Sequence, residues 1–156
     1  MSSRPAKKYK RPESVLVVVY SRTGKVLLLR RADDPGFWQS VTGSLLWEET
    51  DPRQAAVREL REETGLGPSG LQETGQENHY TILPQWRHRY APEVRENTEH
   101  VYFLALPAEC EIDLNSAEHT EFGWYSFAVA AEKVASWSNR EAILRLKVYV
   151  DAGNAP

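Results

Sequence analysis

The run ESVLVVVY, Glu13 to Tyr20, limits what this chain can fold into more than any other stretch. It is β-branched and almost continuously apolar, the pattern of a strand buried within a sheet. SRTG follows as a turn, and KVLLLRR, Lys25 to Arg31, returns as a second strand. Asp33-Asp34-Pro35-Gly36 then breaks the chain, and Phe37 to Val41 is short and extended. Further strands are expected over His79 to Leu83, His100 to Leu106 and Thr120 to Tyr125.

Helical patterns interleave with these strands. Thr50 or Asp51 can cap a helix with Pro52 at its first position and Gly65 at its stop, and Ala56, Val57, Leu60 and Thr64 face a core. Phe127 to Val134 and Asn139 to Val148 also read as helices, the second with an apolar stripe of Ile143, Leu144 and Val148. Strands mixed with two or three helices imply an α/β (α+β) fold, a mixed central sheet covered on both faces. Residues 1–8 are expected to be a flexible basic tail, 9–150 a single domain and 151–156 a C-terminal tail.

At 156 residues, with 41% hydrophobic and 26% charged, the chain suits one soluble globular domain. No apolar run approaches a membrane span and no signal-peptide core opens the chain, so no membrane partner is expected. The single cysteine, Cys110, excludes an internal disulfide and fits a reducing cytoplasm. A net charge of −3 excludes a global field for nucleic acid, although MSSRPAKKYKRP gathers Arg4, Lys7, Lys8, Lys10 and Arg11. Lys10 and Arg11 abut the first strand, where an anion contact fits. Nothing in the pattern specifies an oligomeric state.

The stretch VTGSLLWEETDPRQAAVRELREETGL, Val41 to Leu66, crowds Glu48, Glu49, Asp51, Glu59, Glu62 and Glu63 together. Glu59, Glu62 and Glu63 are expected on one helix face opposite Leu60, each like-charge pair costing about 0.2–0.5 kcal/mol. Arg58 and Arg61 offset part of that. An ordinary charged surface helix is one reading. The other is a site for a hard divalent cation such as Mg²⁺ that also grips phosphate. The loop ending in Thr42-Gly43 favours the second, because glycine lets backbone approach a ligand closely.

Gly43, Glu49, Arg58, Glu59, Leu60, Glu62, Glu63, Gly65 and Leu66 fill, in order, a pattern that resembles the signature of the Nudix hydrolases. These enzymes cleave nucleoside diphosphates linked to another group, X. Eight residues rather than seven separate Glu49 from Arg58, and the extra one falls at the Thr50–Pro52 helix start, leaving Glu48 or Glu49 for the upstream role. The resemblance implies a Nudix-type α/β/α sandwich and Mg²⁺ as cofactor, with Mn²⁺ as a substitute. It implies Glu59 and Glu63 as metal ligands, Glu62 as ligand or base, and Arg58 as the residue that holds a glutamate in place.

YKRPESVLVVVY, RRADDPGFWQSVTGS, WRHRYAP, NTEHVYFLAL and SWSNREAI are similar to the bacterial branch of that family that hydrolyses dihydroneopterin triphosphate. This likeness implies cleavage to dihydroneopterin monophosphate and pyrophosphate, a step of folate biosynthesis. It assigns Lys10, Arg31, Thr42, Gly43, Tyr80, Thr81, Ile82, Leu83 and Ser136 to a small-molecule triphosphate substrate, and Glu118 to the metal. Ser136 reads equally as a helix cap, and Arg31 equally as surface charge. A general (deoxy)nucleoside triphosphate pyrophosphatase, acting on dATP or oxidised purine nucleotides, shares the motif. A non-catalytic nucleotide-sensing module would instead predict eroded ligands. Arg87, His88 and Arg89 form a phosphate contact, an RNA contact or a strand edge, and Trp38, Trp47, Trp86, Trp124 and Trp137 each read as packing.

Overall fold

The computed structural model describes residues 8–153; most of the expected basic tail, and 154–156, lie outside the described residues. Strand β1 (Glu13–Ser21) is the axis of the sheet. Among later strands, β6 (Glu96–Leu106) runs parallel to it along its whole length. The opposite edge of β1 is shared. Its first half pairs antiparallel with β4 (Val41–Ser44), and Tyr20 pairs with Val26 of β2 (Lys25–Arg31). Strand β5 (Leu71–Thr81) extends the sheet beyond β6, while β3 (Trp38–Gln39) and β7 (His119–Ser126) both pair with β2. The result is one mixed sheet of seven strands among the described residues.

Both faces of β1 are covered, which is why its sequence is apolar without alternation. Val15, Val17 and Val19 pack with Ala55, Ala56 and Leu60 of α1 (Pro52–Thr64). Leu16, Val18 and Tyr20 pack on the other side with Ala130 and Ala131 of α2 (Phe127–Lys133), and with Ala142, Ile143 and Leu146 of α3 (Trp137–Asp151). Each fully buried Val or Leu contributes roughly 1.5–3 kcal/mol. The α/β/α sandwich expected from the resemblance is therefore present.

Helix α1 is well anchored at both ends. The Asp51 carboxylate accepts from the Arg53 N–H at 3.0 Å, and the Gln54 side chain accepts from the Asp51 N–H at 3.1 Å. Gly65 closes the helix at φ 76°, a left-handed backbone that favours glycine.

Several boundaries differ from the sequence expectation. β5 begins at Leu71 rather than His79, because its mostly polar, bulged first half carries no apolar alternation. β6 begins at Glu96, and Thr42-Gly43 lies in a strand rather than a loop. On α3, Leu144 and Val148 are exposed, and the buried face is Ala142, Ile143 and Leu146. On α1, Ala55 is fully buried and Val57 only partly.

Candidate active site

Strand β4 and the far end of β2 lie along the same edge of β1 and must part, and the carboxylates of α1 lie at this opening. Glu59, Glu62 and Glu63 do not share an exposed face as expected. Glu63 is 1% exposed, whereas the Glu59 and Glu62 side chains are 12% and 54% exposed. Glu63 follows Leu60 by three positions, so it turns with the apolar face into the protein.

Arg58 organises the charges. Its guanidinium donates to both Glu49 oxygens, at 2.9 and 3.1 Å, to Glu59 Oε1 at 2.6 Å and to the Ser44 carbonyl at 3.0 Å, with Glu62 at 3.5 Å. A planar fork of donors suits this set of acceptors. Glu49 also accepts from the Leu46 N–H at 2.7 Å, while Glu48 is exposed, so Glu49 is the residue that reaches Arg58 despite the extra position. Arg11, read from sequence as an anion contact, instead grips this loop: it donates to the carbonyls of Leu46, Trp47 and Glu49 and pairs with Glu13.

Gly43 faces Glu59 across the opening. A Cβ there would lie within 2.6 Å of every atom of the Glu59 carboxylate group. Glycine is thus required by close approach, not by backbone angle.

Behind Glu59, single oxygens of Glu63 and Glu118 and one nitrogen of His119 all lie within 4.8 Å of one another. His119 Nε2 is 3.8 Å from Glu63 Oε1 and 3.0 Å from Gln39 Nε2. Neither Glu63 oxygen has a hydrogen-bond partner of normal geometry. Burial pushes the Glu63 carboxyl well above the usual glutamate range, and Glu59 and Glu118 add to the shift. Burial likewise raises Glu118 and lowers the His119 imidazole to about 4, so the ring is a neutral potential ligand. A buried carboxylate so poorly satisfied is costly, and a divalent cation among these oxygens removes the mismatch. The donor set fits such an ion. His119 was missed in the sequence because only the pairing of β7 with β2, His119 opposite Arg31, brings it here.

Cations face this acidic wall. Arg31 is held by Asp33 through two bonds of 2.7 and 2.6 Å, and its guanidinium lies over the rings of Phe37 and Trp86. Lys10 is linked through its N–H to the Arg89 carbonyl at 2.8 Å, and Arg89 is 3.8 Å from Asp33. Crowding by protein lowers the Lys10 ammonium, Arg89 and Arg31 lower it further, and Glu59 and Glu118 oppose them. The segment carrying Arg89 is a 3₁₀ turn, Pro84–Arg89, rather than a strand edge.

Of the remaining sequence-derived contacts, Thr42 lies beside the carboxylates, its backbone N–H directed at Glu63, and the others lie apart. Thr42 donates its hydroxyl to the Val15 carbonyl at 2.9 Å. Tyr80 packs edge-on against Trp137 with ring centroids 6.4 Å apart, Ile82 is buried, and Thr81 and Leu83 are exposed. Ser136 caps α3, accepting from the Asn139 N–H at 3.1 Å. Tyr80 and Ser136 belong to the α3 side of the sheet.

Comparison with known proteins agrees with this geometry. Over 142 residues the chain is 47% identical to the dihydroneopterin triphosphate diphosphatase of Escherichia coli (strain K12), covering 88% of this chain and 93% of that one. The enzyme of the same name from Haemophilus influenzae is 41% identical over 144 residues, covering 86% and 87%. The solved structure of the E. coli dihydroneopterin triphosphate pyrophosphohydrolase superposes with a TM-score of 0.82 at 45% identity, covering 89% of this chain and 97% of that one. Residues 10–146 match the family described as NUDIX domain, and the chain belongs to that family.

Proposed function

We propose that this protein hydrolyses dihydroneopterin triphosphate to dihydroneopterin monophosphate and pyrophosphate, with Mg²⁺ as cofactor and Mn²⁺ as a substitute, in the cytoplasm and in the service of folate biosynthesis. The observation that carries the substrate is the 47% identity, over nearly the whole of both chains, to a relative named for that reaction. The reaction class rests on the family, whose members are hydrolases that generally use divalent metal ions.

In this reading Glu59, Glu63 and Glu118 would hold the ion, with His119 beside them. A divalent ion bound there would supply charge neutralisation for the polyphosphate and a lowered pKa for the attacking water. Arg58 keeps Glu59 aimed through its 2.6 Å bond and anchors itself on Glu49. Glu62, half exposed and 3.5 Å from Arg58, takes the proton from the attacking water or joins the ion's ligands. Lys10, Arg31 and Arg89 bind the phosphoryl oxygens. Water adds to one phosphorus of the anhydride between the first and second phosphoryl groups. The P–O bond breaks, and pyrophosphate and the monophosphate separate with no covalent change to the protein.

The test is turnover of dihydroneopterin triphosphate, dATP and an oxidised guanine triphosphate at equal concentration, with Mg²⁺ and with a chelator. A chelator-sensitive preference for the pterin is the expected result. Faster cleavage of a nucleotide replaces the substrate and keeps the chemistry, and no cleavage of any refutes the enzyme reading. Glu59→Gln should lose turnover while melting normally, and unchanged activity in it would overturn the metal assignment.

A further inference from the structure

On the α3 side of the sheet the apolar rows of β1 and β6 end in polar residues that the hydrolytic machinery does not use. Val101 and Phe103 of β6 are core, yet Asn97 and Glu99, on the same face by strand alternation, are 2% and 4% exposed. Their neighbours across the sheet are polar too. Ser14 pairs with Glu99, Asn78 with Glu99, and Tyr80 with Asn97. An apolar layer would be cheaper at such positions unless the polar atoms serve something.

The hydrogen bonds leave one buried acceptor of this patch unpaired. The Asn97 amide donates to Ser14 Oγ at 2.7 Å and to the Tyr80 hydroxyl at 3.0 Å, and its Oδ1 is buried with no partner. Glu99 Oε1 accepts from Asn78 Nδ2 at 3.2 Å, and the Ser138 hydroxyl also bonds this carboxylate. Two donors do not fill the roughly four acceptor positions of a carboxylate. A buried acceptor without a partner, beside a carboxylate with lone pairs still open, suits a ligand edge that carries several N–H groups.

Aromatic rings adjoin this patch through Tyr80, whose hydroxyl meets Asn97. Trp137 is 48% exposed and meets Tyr80 edge-on, and Leu83 is 44% exposed. The patch also adjoins the chemistry through the backbone. Ser14, which accepts from Asn97, pairs with Ser44 of β4, the residue next to Gly43 against which Glu59 packs.

We infer that Asn97 and Glu99 form the floor of a subsite for a flat heterocycle with a 2-amino-4-oxo edge, Glu99 accepting from the ring N–H and the 2-amino group and Asn97 Oδ1 accepting a further N–H. This rests on the proposed function, because the pterin head of that substrate carries such an edge. Adenine does not: its edge places an acceptor where Glu99 requires a donor. A site built to receive N–H groups rejects a ring that lacks them, because its own polar atoms are then left unpaired. Asn97 and Glu99 act as specificity residues and take no part in the hydrolysis.

The test is steady-state kinetics of the Glu99→Gln protein on dihydroneopterin triphosphate, with inorganic tripolyphosphate as a competitive inhibitor that reports on the phosphate end alone. KM should rise roughly 100-fold with kcat changed only a few-fold. The tripolyphosphate inhibition constant and the melting temperature should stay put. An unchanged KM, or a tripolyphosphate constant that rises in step with KM, overturns the subsite. Should the variant fail to fold, the wild-type protein decides the matter with a substrate analogue bearing oxygen in place of the 2-amino group. A roughly 100-fold loss of kcat/KM supports the subsite and an equal kcat/KM refutes it. Wild-type indifference to the pterin triphosphate sinks the functional reading, whereas a wild-type preference that survives in Glu99→Gln sinks only the subsite.

Discussion

Gly43→Ala separates the stability of this protein from its activity. The farthest atom of the Glu59 carboxylate would lie 2.6 Å from the new carbon, and ordinary contact begins near 3.4 Å, so the carboxylate must retreat by roughly 1 Å. Its Arg58 partner at 2.6 Å cannot follow freely, because the same guanidinium is pinned to Glu49 and to the Ser44 carbonyl. A misplacement of about 1 Å at a reacting centre costs on the order of 100-fold in rate, equivalent to about 2.7 kcal/mol of lost transition-state stabilisation. The fold should be spared. Gly43 has no positive φ, alanine suits a strand better than glycine by about 0.5–1 kcal/mol, and the obstructed group is the movable end of a side chain. Pyrophosphate release at saturating Mg²⁺ and thermal melting, measured on the same preparation, test the two halves. A variant that keeps more than about a third of wild-type kcat refutes the role given to Glu59 placement. One that unfolds instead refutes the claim that the clash falls only on a side chain.

Arg58→Lys keeps the charge but loses the fork, so it should cost about 2 kcal/mol in urea unfolding and lower turnover at least tenfold; equal stability would show that the fork is dispensable. Glu49 is held below its ordinary value of 4.5 chiefly by the hydrogen bond from Arg58. Its contribution to stability is therefore present above pH 4.5 and lost as pH falls through the depressed folded value. Glu49→Gln should be less stable than wild type at neutral pH, with the gap closing in acid; a gap that widens in acid contradicts the pairing. Glu63→Gln removes a buried carboxyl whose folded value is raised, so the variant without metal should melt at least as high as wild type at neutral pH. Mg²⁺ should raise the melting temperature of wild type and not of this variant, and an equal rise in both would exclude Glu63 as a ligand.

The helix that carries Arg58, Glu59, Glu62 and Glu63 was legible because its cap, its proline start and its glycine stop are local signals, and so was the doubly covered β1. The polar, bulged start of β5 was not, since pairing with β6 holds it and its own residues do not alternate. Arg11 was read as a ligand for anions because a cation beside a strand says nothing of the loop that will fold over it.

By itself the sequence determined the order of the elements, the carboxylate spacing along one helix and the cations available to oppose it. All of these follow from periodicity and chemistry within a few residues. Only the tertiary structure decided that Glu63 is buried, that His119 and Arg89 join the cleft, and that Glu99 and Asn97 lie together beside Tyr80, which packs on Trp137. The physical reason is that periodicity sets which way a side chain leaves its own backbone. The burial of that side chain, and with it the cost of every unpaired polar atom, is set by strands and loops distant in the chain.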